Sequence, residues 1–386
     1  MKKILIEGWR GINHSYAMVN QYQLCELSKF PDLSLCHRDL KFANPRWNPV
    51  NNNPSFPQAM TTIIQSIPAP RDDEHFDTVL RIASPYDISQ SPANKVLTFI
   101  TVEYGLCPEG YFPDPQPQLE RFTQGNNGVI TPSSWSKMKL VEYGFAAEKI
   151  TIVPHGVSTD IFYPMTQVER NAVRKAIGLQ PEHFVFLNLG AMTINKGIDL
   201  LLLAFFEIHK RHPQARLVLK DDQKLYGLAG ADVVREAMRH HPHLLTQEFM
   251  DAIKMLSVTL PLHEMRHLYG MADVYTSPYR AEGFNLPVIE AIACGTPVIV
   301  TGGGATDDFC EPRTARMVAA QRVDVRKQGL IGTGYVLSPS LEDLTLAMQD
   351  EITSPRASTD EFNAGRMALC QQYSWAKVAS QLHSIF

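Results

Sequence analysis

Twice along this chain a short apolar run stops at a glycine-bearing loop and gives way to helical periodicity. The first run is residues 3–7, followed by Gly8-Trp9-Arg10-Gly11-Ile12-Asn13-His14-Ser15 and a helical pattern over 16–30 that Pro31 ends. The second is residues 184–189, followed by Gly190-Ala191-Met192-Thr193-Ile194-Asn195-Lys196-Gly197 and a helical pattern reaching His212. Strand, loop at its carboxyl end, then helix is the opening of a doubly wound α/β domain. Short buried-strand runs follow at 96–102, 128–131 and 150–153. In the second half, strands at 216–220, 274–277 and 297–301 alternate with helical segments at 232–240, 287–294 and 341–350. A charged helical segment, 168–177, lies between the halves. With 386 residues there is material for two such domains, expected at 1–164 and 165–372.

Composition narrows the function classes. Lys plus Arg number 36 against 40 Asp plus Glu, a balance unlike the basic surface a dedicated nucleic-acid binder needs. At the start, Glu7 and Arg10 interrupt the apolar residues too early for a signal peptide, and a buried first strand is expected. The apolar stretch 200–206 ends at Glu207 and is too short to span a bilayer. The six cysteines form no CxxC pair, so reduced thiols, a cytoplasmic location and no structural zinc are expected.

The segment Glu282-Gly283-Phe284-Asn285-Leu286-Pro287-Val288-Ile289-Glu290 sets two carboxylates eight residues apart around a loop-to-helix transition. Pro287 suits the first helical position, where a missing N–H costs nothing, and Glu290 is expected in the first turn. Amides of Gly283, Phe284 and Asn285 beside a helix N-terminus favour phosphate oxygens, with Glu282 and Glu290 free to accept from hydroxyls on either side.

This segment resembles the Glu-x7-Glu signature of retaining GT-B glycosyltransferases, the group 1 or family 4 type whose members build bacterial polysaccharides and glycolipids. Three other segments are similar to that family's motifs in the expected order. They are His155-Gly156-Val157-Ser158-Thr159-Asp160-Ile161-Phe162 at the domain junction, Gly190 to Gly197 as the donor loop, and Gly302-Gly303-Gly304 after a strand. The resemblance covers most of the C-terminal half and less of the N-terminal half. It implies a GT-B fold, two Rossmann-like domains facing a central cleft, with the helix in 373–386 packing back on the first. It implies a hexose moved with retention from a nucleoside-diphosphate sugar, UDP-glucose foremost, to a hydroxyl of a glycan or lipid-linked acceptor. Such acceptors would place the protein peripherally at the cytoplasmic face of the membrane.

Carried over by position, Glu290 would bind the ribose and Glu282 a donor-sugar hydroxyl, with Gly283, Phe284, Asn285 and Leu286 offering amides. Lys196 would neutralise the diphosphate, and the backbone at Val258-Thr259 would meet the base. Ala191 stands where many relatives carry an Arg, so one cation is short; Arg280 and Lys220 both stand as replacements, each against a reading as a surface cation. The loop bearing Gly11 resembles the one that faces the donor. After the strand at 96–102 the family's His is missing, and Glu103 stands as base toward the acceptor or as its positioning group.

Negative charge grows on the leaving diphosphate during glycosyl transfer. No Asp-x-Asp pair stands in a metal-binding context. Asp72-Asp73, Asp221-Asp222 and Asp307-Asp308 are adjacent acids, and no metal or cofactor is expected. Asp307 and Asp308 stand between sugar contacts and a helix cap, and the helix-end histidines, His209 among them, read as cations on the dipole. Two other readings share the scaffold: a nucleotide-sugar epimerase, and a catalytically silent nucleotide-sugar binder.

Overall fold

The computed structural model describes the chain apart from residues 53–55, 90, 104, 106–124, 228, 329–333 and 358, and the side chains of 51 and 52. The sequence is proline-rich at 108–117, a stretch that lies outside the described residues. The chain divides into two compact units. One comprises Met1–Gly156, Asp324–Tyr335 and Tyr373–Phe386, the other Val157–Val323 and Val336–Gln372. The division falls at Gly156 rather than near 164, and Asp324–Tyr335 also goes with the first unit.

The first unit is built on six strands: β1 (Lys2–Gly8), β2 (Leu33–Asp39), β3 (Thr78–Ile82), β4 (Lys95–Phe99), β5 (Asn127–Thr131) and β6 (Ile150–Ile152). They run in the order β2-β1-β3-β4-β5-β6, all parallel. Strands of a parallel sheet are covered on both faces, which is why β1 reads as an unbroken apolar run; Ile4, Leu5 and Ile6 are fully buried. Sequence periodicity misses β2 and β3. β2 is an edge strand whose last residues are exposed. β3 is central but carries Arg81, whose charge is met across the register by Glu7 of β1, Nε to Oε2 at 3.0 Å. Arg38 of β2 donates to the other oxygen of Glu7 at 2.5 Å.

The chain's last helix, Trp375–Ile385, seals this unit. The indole of Trp375 stacks on Tyr22 with centroids 4.7 Å apart and planes 10° apart. It lies so close to Gly156 that a Cβ there would stand 2.7 Å from the ring. Below it, Lys95 Nζ donates to the Ile385 carbonyl at 2.6 Å. The spacing of Trp375, Val378, Ala379 and Leu382 puts one buried stripe on the helix.

The second unit repeats the plan with β7 (Phe184–Leu189), β8 (Ala215–Asp221), β9 (Ile253–Ser257), β10 (Val274–Ser277), β11 (Val298–Thr301) and β12 (Ala315–Val318). The order is β12-β11-β10-β7-β8-β9, again parallel. One face of the sheet, with Phe186, Leu217, Leu219, Val274 and Ile299, packs on helices Ile198–Arg211 and Leu341–Thr353 through Leu201, Leu202, Phe205, Leu344 and Met348. The apolar stretch 200–206 is thus the core-facing part of a buried helix. Among the described residues no helix is long and apolar enough to cross a membrane. His209, expected as a helix-end cation, is instead buried beside Phe205 and Phe249, and burial lowers its pKa. Strands β9 and β12 escape sequence reading because both are edges: β9 is half-buried and β12 has only four residues.

Trp375→Ala removes the ring that joins the last helix to Tyr22 and Gly156. It is expected to destabilise the first unit by about 3–5 kcal/mol, read as a lowered melting temperature by near-UV circular dichroism. An unchanged melt would show that the terminal helix contributes nothing to this core.

Candidate functional site

In the second unit β8 and β9 extend to one side of β7, and β10, β11 and β12 to the other. Strand order therefore reverses between β7 and β10, and loops leaving their carboxyl ends frame the crevice where open α/β sheets take ligands. Here the two loops are bonded to each other. Arg280 N donates to the Asn195 carbonyl at 2.6 Å, and Asn195 Nδ2 donates to the Ala281 carbonyl at 3.1 Å. The Lys196 ammonium pairs with the buried Glu282 carboxylate. The contact leaves no room at Gly197, which takes φ +68; a Cβ there would fall 2.1 Å from the Pro278 carbonyl oxygen.

Arg280 is not a surface cation. It is buried, forks onto both oxygens of Asp199 at 2.7 Å each, and donates to the Ile194 carbonyl at 2.9 Å. Its charge is spent on holding the loop after β7 to the loop after β10. Lys220, at the end of β8, is also buried rather than on the surface. Its pKa is lowered, chiefly because burial penalises the ammonium, against the pull of Asp222 and Asp221.

The helix after the β10 loop spans Leu286–Ala293 and begins from Asn285, which holds the left-handed conformation at φ +73. Its side chain makes no cap to that helix and donates instead to Ser277 Oγ at 3.0 Å. Asn285 and Met192, at φ +51, are the non-glycine residues with positive φ among those described. Both belong to the two loops of the crevice, and such conformations tend to cluster at functional sites. The start at Leu286 makes Pro287 the second helical residue and moves Glu290 from the expected first turn into the second. There Glu290 accepts a hydrogen bond from the Tyr269 hydroxyl at 2.6 Å. Desolvation raises the Glu290 pKa to about 7, with the Tyr269 bond acting in the opposite direction.

Phe284 is buried against Phe309, ring centroids 4.9 Å apart, so its side chain is core and only its backbone is available to the crevice. Gly283 is buried between it and Glu282, and Leu286 is half-buried at the helix start. Beyond β9, Thr259 Oγ1 donates to Asp222 Oδ1 at 3.4 Å. After β11, Gly303 N donates to both oxygens of Asp307, at 3.1 and 2.9 Å, so this acid braces the glycine turn. The crevice loops thus bring together Lys196, Arg280, Glu282 and Asn285, with Glu290 on the adjoining helix. Asn195, Asp199 and Tyr269 also belong to it. Nothing in their spacing announces them, because each acts through a contact made only in the fold.

In the first unit, Gly11 and Glu103 both lie beyond carboxyl ends of strands, after β1 and β4. Gly11 N donates to Gln21 Oε1 at 3.2 Å, and the Glu103 carbonyl accepts from Trp135 Nε1 at 2.7 Å. His14 caps the first helix, its Nδ1 accepting from Tyr16 N at 3.3 Å. Burial lowers its pKa to about 4.

Two outcomes follow from this geometry. Gly197→Ala is expected to lower the melting temperature of the second unit, at a cost of about 2 kcal/mol or more, because backbone must move to admit the methyl group. For Glu290 the folded pKa lies above the ordinary 4.5, so the native state holds the proton more tightly than the unfolded chain. Its contribution to stability is present below that ordinary value and is lost as pH rises toward about 7. Without added donor, Glu290→Gln should therefore gain melting temperature over wild type as pH goes from about 5 to about 8. A difference constant across that range would show that the carboxylate is not desolvated.

Residues 169–327 match the family model described as Glycosyl transferases group 1. The chain is 28% identical over 170 residues to mannosylfructose-phosphate synthase of Agrobacterium fabrum, covering 42% of this chain and 34% of that protein. It is 28% identical over 212 residues to D-inositol 3-phosphate glycosyltransferase of Segniliparus rotundus, covering 54% and 44%. The matches thus span less than half the length of these two relatives. Among solved structures, Anabaena HepE in complex with UDP and glucose superposes over 100% of this chain and 99% of that one, at a TM-score of 0.66 and 15% identity. The chain has the α/β GT-B fold, and the match to the glycosyl transferases group 1 model falls almost wholly within its second unit.

Proposed function

We propose that the chain is a retaining glycosyltransferase that moves a hexose from a nucleoside-diphosphate sugar to a hydroxyl of a glycan or lipid-linked acceptor. The observation that carries this reading is the bonded loop pair at the switch point of the second unit, where Lys196 pairs with Glu282 just before the Leu286–Ala293 helix that carries Glu290. One cation, a helix N-terminus and two carboxylates on either side suit a diphosphate flanked by two sugars. The names of the curated relatives, both sugar-transfer enzymes, support the class. The UDP and glucose held by the Anabaena structure make UDP-glucose the first donor to test.

In this reading Lys196 meets the charge that grows on the leaving diphosphate. Glu282, paired with Lys196 in the chain alone, turns to a donor-sugar hydroxyl once phosphate takes over the ammonium. Glu290 accepts from the ribose, and Tyr269 fixes its carboxylate. Glu103, beyond β4, acts on the acceptor side as base or positioning group. The charge is met by protein groups, and the reaction needs no divalent metal.

A thermal-shift screen of UDP-, GDP- and dTDP-sugars tests the reading, since a bound donor stabilises the fold. The best donor should raise the melting temperature of wild type, and Glu290→Ala and Lys196→Ala should each weaken it about tenfold or more. Normal binding of that donor by Glu290→Ala would place the site elsewhere. Turnover should survive EDTA unchanged, whereas loss restored by a divalent ion would overturn the metal-free mechanism. A C2-epimerised product without transfer would sink the transferase assignment.

A further inference from the structure

Five lysine or arginine side chains are buried among the described residues: Lys139, Arg174, Lys220, Arg266 and Arg280. Four are held by carboxylates. Arg174 pairs with Asp273 at 2.7 Å, Arg266 with Glu169 at 2.8 Å, Arg280 with Asp199 at 2.7 Å and Lys139 with Glu142 at 3.2 Å. Lys220 is the exception. It is only 4% exposed, and its ammonium has no hydrogen bond or ion pair to any described residue. Neither acid next to it in the chain bonds to it, and Asp221 Oδ1 is itself buried without a hydrogen-bond partner. Asp221 Oδ2 accepts from Gly230 N at 2.5 Å and Ser257 Oγ at 3.1 Å, while Asp222 Oδ1 accepts from Leu225 N at 3.2 Å. An ammonium largely withdrawn from water, with Asp222 and Asp221 acting on it only from a distance, is costly, and the fold places this one where an anion would reduce the cost.

That placement follows from the sheet register. Lys220 pairs with Leu189, and Val218 with Leu187, which in turn pairs with Tyr275. Registered neighbours point to the same face and alternate residues share it, so Lys220 lies on the face of Tyr275. This is opposite the face that packs Phe186, Leu217 and Leu219. Tyr275 feels the charges of both Glu282 and Glu290. Gly190 N donates to the Lys220 carbonyl at 3.1 Å, so the loop leading to Lys196 starts directly beside it. That loop carries alanine at 191 and a single cation at 196, and Lys196 already shares its charge with Glu282. Arg280 is fully spent on Asp199. A diphosphate carries more charge than Lys196 alone can meet.

We propose that Lys220 is a second phosphate-binding cation of the donor site, its ammonium pairing with an oxygen of the nucleoside diphosphate. The proposal rests on the donor-site reading of the second unit. It makes β8, in addition to the loop after β7, a source of charge for the leaving group.

The test compares UDP and GDP with uridine and guanosine, which lack the diphosphate, by calorimetry on wild type, Lys220→Met, Lys220→Arg and Lys196→Ala. Lys220→Met is expected to fold with an unchanged or raised melting temperature, because it removes an unpaired buried charge. It should lose about tenfold to a hundredfold in affinity for the diphosphate that wild type prefers, with the matching nucleoside bound as before. Lys220→Arg should recover part of that loss. Wild-type affinity in Lys220→Met alongside a loss in Lys196→Ala would overturn the role of Lys220 and leave the donor site standing. Equal loss for nucleoside and diphosphate in Lys220→Met would make Lys220 a structural residue and overturn it too. Wild-type affinity in both variants, or no diphosphate bound by wild type, would overturn the donor site itself and the proposal with it.

Discussion

The crevice of the second unit depends on one cross-loop arrangement. Arg280 forks onto Asp199 and reaches the Ile194 carbonyl, while its own backbone N–H holds Asn195. These bonds fasten the loop after β10 to the loop and helix after β7. Everything else in the crevice is positioned from that clamp. It sets the approach that only Gly197 admits, brings Lys196 to Glu282, and leaves the helix start at Leu286 carrying a strained Asn285. A bidentate arginine suits the task because its fork fixes direction as well as distance.

Around the clamp the fold withholds solvent from charged groups unevenly. Glu290 is desolvated enough that its pKa rises to about 7, with one hydroxyl as partner. Lys220 is buried with no acid in contact, although Asp221 and Asp222 are its neighbours in the chain. Elsewhere the same protein neutralises its buried cations, as Arg174 meets Asp273 at 2.7 Å beside the half-buried Arg170 at 2.5 Å. Both groups lie toward the carboxyl edge of a single sheet, and perturbed ionisation in a crevice marks a candidate functional site. They also differ in what would relieve them: a hydrogen-bond donor beside Glu290 and an anion beside Lys220.

Much of the fold was readable because buried parallel strands are continuous apolar runs and their helices keep a 3.6-residue period. Runs at 184–189 and 274–277 coincide with β7 and β10. The strands that escaped are those at edges, or those carrying a charge whose partner is distant in sequence, as Arg81 has Glu7. The site was legible to the extent that its residues sit close together in the chain, as from Glu282 to Glu290.

By itself the sequence determined that two parallel α/β units would form, and which loops would stand at the carboxyl ends of their strands. Those properties are local: apolar run length, glycine and proline placement, and helical period. Only the tertiary structure decided which cation is committed and which is not. In the sequence Arg280 and Lys220 were equivalent candidates, each a basic residue near a strand end. Folding gives Arg280 a carboxylate 81 residues away, and gives Lys220 burial without one. Which acid meets which base is set by strand order and register, and neither is written in any single stretch of chain.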